Sequence, residues 1–139
     1  MTRRILLDTG PLVAFLNRRD QHHEWTVDQW ARLAPPLLTC EAVLSEASFL
    51  LRRHTGHSPV LALVERGLLL LPFRLEEEAS TIAHLMSRYS NVSMSLADAC
   101  LVRMSEQHAG CAVLTLDRHF RVYRRHGRQV IPTIMPASR

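Results

Sequence analysis

Short apolar runs alternate with longer helical stretches along this chain of 139 residues. The runs have the composition of buried strands in a parallel sheet, and the stretches between them are long enough to form crossover helices. Strands separated by helices require βαβ crossovers, which place helices on both faces of a mostly parallel sheet. The pattern therefore predicts an α/β fold with a central sheet of four to five strands.

Proline and acidic residues mark where several predicted helices begin or end. Pro11 suits the first turn of a helix, Pro35 and Pro36 stop the next one, and three glutamates at 76–78 open a later helix where its dipole favours them. The predicted strands cover residues 4–7, 37–39, 68–72, 112–116 and 129–133. The predicted helices cover residues 11–17, 23–33, 40–54, 58–66, 95–108 and 118–126, and the helix that opens at 76–78 buries Ile82, Leu85, Met86 and Tyr89.

Length and composition restrict the class of protein to which this chain can belong. A chain of this length with 47% apolar residues is expected to form a single domain over residues 1–139. The apolar stretch 60–73 contains charged residues and is shorter than the ~20 residues of a membrane span, so we expect a soluble, cytoplasmic protein without a membrane partner. Cys40, Cys100 and Cys111 are widely spaced, which favours buried thiols over a disulfide framework or a zinc ribbon.

Two predicted strands end on aspartates. Asp8 directly follows the first apolar run, and Asp117 follows the run that ends at Leu116. Ligands of open α/β sheets bind at the carboxyl ends of the strands, so both carboxylates lie at the edge where a site is expected. Thr115 points to the same side of its strand as Asp117. Each aspartate also has a simpler interpretation, Asp8 as a turn residue that binds local backbone N–H groups and Asp117 as the N-cap of the helix that follows.

Glu46 and Asp98 lie on two predicted helices. At about 100° per residue, Glu46 falls among apolar residues and away from the polar stripe of its helix. We therefore expect a desolvated carboxylate that needs a metal, a cationic ligand or a partner such as Arg53. Asp98 follows Ser95 at the spacing of a capping box, so its position fits a structural role as well as a role in a site.

The four acids are more informative as a set than singly. Asp8, Glu46, Asp98 and Asp117 can all converge at one edge of the sheet. Two unit charges about 4 Å apart repel by roughly 4 kcal/mol at an effective dielectric constant of about 20, so such a cluster requires protons or a divalent cation. A ligand set made only of oxygen atoms suits Mg²⁺ or Mn²⁺.

Four short segments, in order along the chain, carry a family resemblance. They are LLDTGPL at 6–12, LSEA at 44–47, LADA at 96–99 and LTLDRHF at 114–120. The set resembles the PIN-domain ribonucleases, and most of all the VapC-like toxins of bacterial toxin–antitoxin pairs. The resemblance covers nearly the whole chain and implies a PIN-like three-layer α/β/α sandwich.

The resemblance also implies an activity and a set of roles. It implies an endoribonuclease dependent on Mg²⁺ or Mn²⁺, in which Asp8, Glu46 and Asp98 are the main catalytic and metal-site acids. Asp117 is implied as the fourth acid of that site, often acting on the metal through water. Thr115 matches the hydroxyl residue of the family's T-x-D motif, and Thr9 is a second supporting residue. The implied partners are an RNA substrate and a cognate antitoxin, and a homodimer is consistent with the family.

The basic residues suit an RNA substrate. The net charge is +4, and all 17 basic residues are arginine, whose planar guanidinium group matches a phosphate. A helical repeat after Asp117 and a pair of residues after Glu46 are expected to bind RNA, unless they form ordinary solvated faces. These residues are Arg118, Arg121, Arg125 and Arg128 in the first group, and Arg52 and Arg53 in the second.

Other interpretations compete with this one. A phosphotransfer enzyme also places an aspartate at a strand end but uses a lysine for the phosphate, and the chain contains no lysine. A non-catalytic RNA-binding or scaffold protein on the same fold is the alternative that stays open. Core packing is favoured over base stacking for the aromatic residues, and a surface loop is favoured over a metal site for the paired histidines. These residues are Trp25, Trp30, Phe120 and Tyr123, and His22 and His23.

Overall fold

A parallel sheet forms the centre of the protein in the computed structural model, which describes residues 3–56 and 58–137. The strands are β1 (Ile5–Leu7), β2 (Leu37–Leu38), β3 (Leu69–Leu70), β4 (Ala112–Leu114), β5 (Arg124–Arg125), β6 (Gln129–Val130) and β7 (Thr133–Ile134). Five of them form the sheet in the order β3-β2-β1-β4-β7, and every neighbouring pair is parallel. The predicted class of sheet is therefore confirmed.

Helices cover both faces of this sheet, as the βαβ pattern predicts. They are α1 (Thr9–Leu16), α2 (His23–Ala31), α3 (Glu41–Leu51), α4 (Ser58–Glu65), α5 (Leu75–Arg88) and α6 (Leu96–Gln107), with short 3₁₀ helices at Ser90–Val92 and Arg118–Arg121. Helix α1 packs against α2 and α3, and α5 packs against α6, which lies on β1 and β4. The predicted helices before residue 110 are all present, and most differ only in where they end. Of the residues predicted on the core face of α5, Ile82, Leu85 and Tyr89 are buried and Met86 is half-buried.

The register of β1 and β4 fixes the edge of the sheet at which the acids meet. Ile5 pairs with Ala112 and Leu7 with Leu114, and both strands are buried along their whole length. The backbone N–H of Asp8 donates to the Leu114 carbonyl oxygen at 3.1 Å. Asp8 and the residues after Leu114 therefore leave the sheet side by side.

The predicted helix over residues 118–126 is wrong. A single 3₁₀ turn ends at Arg121, and β5 then pairs with β6 in an antiparallel hairpin. The turn of this hairpin contains two successive residues with positive φ, His126 at 52° and Gly127 at 76°. A helix cannot pass through such a turn, so the spacing of the arginines from Arg118 to Arg128 does not describe one helical face.

The predicted strand over residues 129–133 is two strands. Gln129 and Val130 belong to the hairpin, whereas Thr133 and Ile134 join the main sheet beside β4. Pro132 lies between them, and its carbonyl oxygen accepts a hydrogen bond from the N–H of Val113 at 2.9 Å. Proline has no N–H to donate, which suits this crossing point between the two pairings.

Two expectations from composition can be compared with the structure. The three cysteines are free and buried, as predicted for small core thiols. Over residues 3–56 and 58–137, none of the helices has both the length and the apolar character of a membrane span.

Candidate active site

Asp8 occupies a buried position between β1 and α1. It is 5% exposed and acts as the N-cap of α1, because its Oδ1 accepts the Thr9 N–H at 2.8 Å. Its Oδ2 accepts the hydroxyl of Thr115 at 2.6 Å. The sequence left a turn residue, bonded to local backbone N–H groups, and a site residue as alternatives for Asp8; the local hydrogen bond is present, but it engages only one of the two carboxylate oxygens.

The segment after β4 brings Asp117 to the same edge. Thr115 is fully buried; its hydroxyl donates to Asp8 and accepts the Asp117 N–H at 2.9 Å. Gly10 allows the start of α1 to pack closely against the segment after β4, because a Cβ atom at that position would come within 3.3 Å of the Leu116 side chain. The carboxylate of Asp117 accepts the His119 N–H at 2.9 Å, so it also caps the 3₁₀ turn that follows.

Asp98 takes part in a capping box and also lies near the edge of the sheet where Asp8 and Asp117 leave their strands. This edge, with Asp8, Glu46, Asp98 and Asp117, is called the acid edge below. Its N–H donates to the Ser95 hydroxyl at 3.0 Å, and its Oδ2 accepts the Ser95 N–H at 3.3 Å. Oδ2 also accepts the hydroxyl of Tyr123 at 2.9 Å, and the residue is only 9% exposed. Both hydrogen bonds that the carboxylate accepts are to Oδ2, so the second carboxylate oxygen is left without a protein partner among the described residues.

Glu46 differs from its predicted environment. We expected a desolvated carboxylate among apolar neighbours, but Glu46 is exposed because Phe49 and Leu50, on the same side of α3, also face outward. Phe49 is 60% exposed. Within the described ranges the carboxylate forms no hydrogen bond or ion pair, so the alternative of a pair with Arg53 is wrong.

The electrostatics of these residues show that the four acids share one neighbourhood. The pKa of Asp8 is raised to about 7, mainly by burial and to a lesser degree by repulsion from Asp98 and Asp117, while the hydrogen bonds from Thr115 and Thr9 oppose the rise. Partial desolvation, followed by repulsion from the same two aspartates, raises the pKa of Glu46, although its side chain is exposed. Burial also raises the pKa of Asp98, although the hydrogen bond from Tyr123 opposes this effect. The fold thus holds negative charges close together.

The donor set suits a hard divalent cation. The acids supply only oxygen atoms, and in the described part of the chain neither Asp8 nor Asp98 is paired with a basic side chain. Thr9 adds a buried hydroxyl oxygen that has no hydrogen-bond partner among the described residues. In the arrangement described over 3–56 and 58–137, however, no three of the His, Cys, Asp and Glu side chains form a ready-made metal cage.

Sequence comparison identifies the family. The model of the PIN domain family matches residues 5–125, which is most of the chain and contains all four acids. The chain belongs to the PIN domain family. The family resemblance of the four motifs is thereby confirmed, whereas the role of each acid stays a prediction.

A solved structure shows the same fold. The protein is similar to VapC20 of Mycobacterium tuberculosis, described as a toxin that cleaves the sarcin–ricin loop. The TM-score is 0.64 at 22% sequence identity, and the match covers 74% of this chain and 82% of VapC20. This similarity confirms the PIN-like α/β/α arrangement. Among curated protein sequences, none matches this chain significantly.

Two cavities flank the acid edge of this PIN domain and differ in chemistry. One, of about 650 Å³, is mostly apolar and is lined by Glu46, Phe49, Phe73 and the thiols of Cys40 and Cys100, among others. The other, of about 230 Å³, is basic and lies just beyond the end of β4, where His22, Arg118 and Arg121 surround it. A chain of alternating bases and phosphates can use both kinds of surface.

The arginines predicted to bind RNA do not form one group. Arg118 and Arg121 are exposed beside the basic cavity, whereas Arg125 is half-buried and its guanidinium donates to Gln129 and to the Ser105 carbonyl oxygen. Arg125 therefore supports the hairpin. Arg52 lies over the ring of Phe49 at 3.8 Å, next to the apolar cavity.

Two residues at the site were not predicted there. Tyr123 was expected in the core, and it is fully buried, but its hydroxyl also positions Asp98. His22 was assigned to a surface loop, yet it lines the basic cavity with Arg118. No local pattern in the sequence marks either role, because both depend on elements far apart in the chain. The other aromatic residues pack as expected, with Phe120 buried and Trp30 stacked on Phe15 at 3.9 Å.

Proposed function

We propose that this protein is a metal-dependent endoribonuclease that hydrolyses RNA phosphodiester bonds at the acid edge of its sheet. The observation that carries the proposal is the convergence of four acids, two of them buried, without a basic partner for Asp8, Glu46 or Asp98 in the described structure. Burying a charge without a partner costs several kcal/mol, so such an arrangement is retained where a cation uses it.

In the proposed reaction, some residues of the chain would hold the metal ion and others orient the residues that hold it. The chemistry that Mg²⁺ or Mn²⁺ would supply at this site is activation of a water molecule and neutralisation of charge on the phosphate. Asp8, Glu46 and Asp98 would hold the ion, with Asp117 as a further ligand or a ligand through water. Thr115 and Tyr123 orient Asp8 and Asp98 through their hydroxyl groups. Thr9 stands at the first turn of α1 with an oxygen free, among the described residues, to support the ion.

The biological role that we propose is that of a toxin in a toxin–antitoxin pair. The support is the fold shared with VapC20, a toxin that cleaves the sarcin–ricin loop. A cognate antitoxin is then the expected protein partner, and a homodimer fits the same family. The exposed apolar side chains near the site, such as Phe49, Leu50 and Leu96, are suited to contact with another chain.

A non-catalytic RNA-binding protein is the second candidate. The observation in its favour is that the acids, as the described residues place them, do not already form a metal cage. The two candidates differ in whether a divalent cation binds through the acids, so metal binding is the property to measure.

We expect Mn²⁺ to stabilise the wild-type protein through Glu46. Stabilisation by mass action amounts to about 2.7 kcal/mol when free metal is 100 times the dissociation constant. The side chain of Glu46 makes no hydrogen bond that the structure describes, so Glu46→Gln should leave the fold intact and lose most of this gain. Thermal unfolding with chelator and with Mn²⁺ measures both effects. Glu41→Gln, an exposed acid on the same helix, is the control and should keep the full response. An equal response in all three proteins would favour the non-catalytic candidate.

We expect Arg118→Gln combined with Arg121→Gln to weaken RNA binding and its salt dependence. Each lost phosphate contact lowers the slope of log affinity against log salt by about 0.7 to 0.9, so the double variant should lose up to about two units. Fluorescence anisotropy of a labelled RNA over a range of salt concentrations measures the slope. Arg32→Gln combined with Arg66→Gln removes the same charge elsewhere and should change the slope little. Equal slopes for the two double variants would exclude the basic cavity from the RNA path.

A further inference from the structure

A third cavity lies between the far ends of α1 and α3. It measures about 400 Å³ and is lined by Arg18, Arg19 and Arg53, together with the imidazole of His54. Helix α1 begins beside Asp8 and α3 begins at the same edge of the sheet, so both helices run away from the acids. At 1.5 Å per residue, the end of α1 lies about 12 Å of helix length from Asp8, and the end of α3 lies about 8 Å from Glu46.

The guanidinium groups in this cavity are not neutralised by the protein. In the part of the chain that the structure describes, the side chains of Arg18, Arg19 and Arg53 form no hydrogen bond or ion pair, and no carboxylate lines the cavity. Arg103, in contrast, is held by Glu78 at 2.9 Å and by Glu106 at 3.1 Å. Three like charges that face one depression repel each other, which favours an anion between them.

The C-terminal ends of α1 and α3 offset only part of the positive charge of these three arginines. The C-terminus of a helix carries about half a negative charge, so the ends of α1 and α3 together offset roughly one of the three arginines. The remaining positive charge is about two, before any contribution from His54. Arginine groups of this kind form paired hydrogen bonds with phosphate oxygens, and exposed polar groups such as the Thr55 hydroxyl complete the lining.

We propose that this cavity is a second phosphate-binding site, which takes a backbone phosphate of the RNA at a distance from the acids. The inference rests on the proposed function, since it assigns a contact to the same substrate. It also explains why Arg53, adjacent to Arg52 in sequence, is directed to a different surface. Arg52 stacks on Phe49 beside the acid edge, whereas Arg53 joins arginines that follow α1. The substrate is then an RNA long enough to run from the acid edge to the far ends of these helices.

The test compares two triple variants of the full chain. Arg18→Gln, Arg19→Gln and Arg53→Gln remove the cluster, and Arg32→Gln, Arg66→Gln and Arg74→Gln remove the same charge from scattered positions, where Arg32 and Arg74 are paired with acidic side chains. Binding of a labelled 20-nucleotide RNA is measured by anisotropy in chelator, so that cleavage does not interfere. We expect the cluster variant to bind about tenfold more weakly, with a salt slope lower by about 0.7 for the one phosphate contact that is lost, and the scattered variant to change by less than about twofold.

The outcomes separate this proposal from the proposed function. Cleavage of the same RNA by saturating protein with Mn²⁺ should proceed at the wild-type rate in the cluster variant, because the acids are untouched. If wild type cleaves RNA and both triple variants bind RNA equally, the cavity is not an RNA site and the proposal is overturned while the nuclease stands. If wild type cleaves nothing but only the cluster variant loses binding, the phosphate site stands without the nuclease.

Inorganic phosphate is used as a second probe of the same cavity. Phosphate that competes with RNA for the wild type but less for the cluster variant supports a site for backbone phosphate. Phosphate that raises the melting temperature of the wild type alone, with equal RNA binding in all three proteins, shows a site for free phosphate and overturns the proposal.

Discussion

Asp8→Asn and Glu46→Gln are each expected to reduce RNA cleavage by about 100-fold or more while the protein stays folded. A divalent metal ion held by these acids would supply several kcal/mol of stabilisation to the transition state, and each 1.36 kcal/mol corresponds to a factor of about ten in rate. Asparagine at position 8 keeps an oxygen that can accept the Thr9 N–H, so the N-cap of α1 can survive. Cleavage of a pool of oligoribonucleotides of random sequence, with Mg²⁺ or Mn²⁺ present, measures the loss whichever sequence the protein cuts.

The control for this experiment lies on the same helix as Glu46. Glu41→Gln removes an exposed acid from the first turn of α3 and should leave cleavage within about twofold of wild type. If Asp8→Asn or Glu46→Gln cleaves RNA at a rate close to that of the control, the catalytic assignment of that acid is wrong.

Without metal, the free energy of unfolding should fall as pH rises from about 4 to about 7. The ordinary pKa of aspartate is 3.8, and burial raises that of Asp8 to about 7, so the unfolded chain releases this proton at lower pH than the folded protein. The stability linked to Asp8 is therefore fully present below about pH 4 and lost once the pH exceeds about 7. The difference corresponds to about 4 kcal/mol, as an order of magnitude. Urea unfolding in chelator at about pH 5 and about pH 8 measures the decrease.

Asp8→Asn should remove most of this pH dependence and should unfold at higher urea concentration than wild type at about pH 8. Asp28→Asn is the matched control, because Asp28 is exposed on α2 and pairs only with Arg32 among the described residues. Its stability should follow the wild-type curve. The same dependence on pH in Asp8→Asn as in wild type would show that the acid edge does not strain the folded state.

The sequence predicted the acid edge because two local signals decide it. Apolar runs that end on Asp8 and Asp117 place these residues after parallel strands, and parallel strands bring their carboxyl ends to one edge. The spacing of Ser95 and Asp98 likewise predicted the capping box, which is present. What the sequence left undecided was whether Asp98 serves the cap or the site. One of its oxygens serves the cap, while the other has no partner among the described residues.

Features that depend on distant contacts could not be predicted. The hairpin after Arg121 has a helical spacing of arginines, and only the positive φ values at His126 and Gly127 reveal the turn. Glu46 was expected to be desolvated because Phe49 and Leu50 are apolar, but a helix wheel does not show which apolar residues remain uncovered by the rest of the fold. The grouping of Arg53 with Arg18 requires the ends of two helices to meet, which no local pattern encodes.

The pairing of the first strand with a late one has a consequence during synthesis. Asp8 and Thr115, which share a hydrogen bond at the acid edge, are separated by 107 positions. A ribosome that adds about 5 to 20 residues per second therefore makes Asp8 on the order of 5 to 20 s before its partner. Until Ala112–Leu114 is available, β1 has no neighbour on that side and the four acids cannot assemble. A translation product that stops before Ala112 therefore lacks the acid edge, and the nuclease that we propose can cleave RNA only once synthesis has passed Asp117.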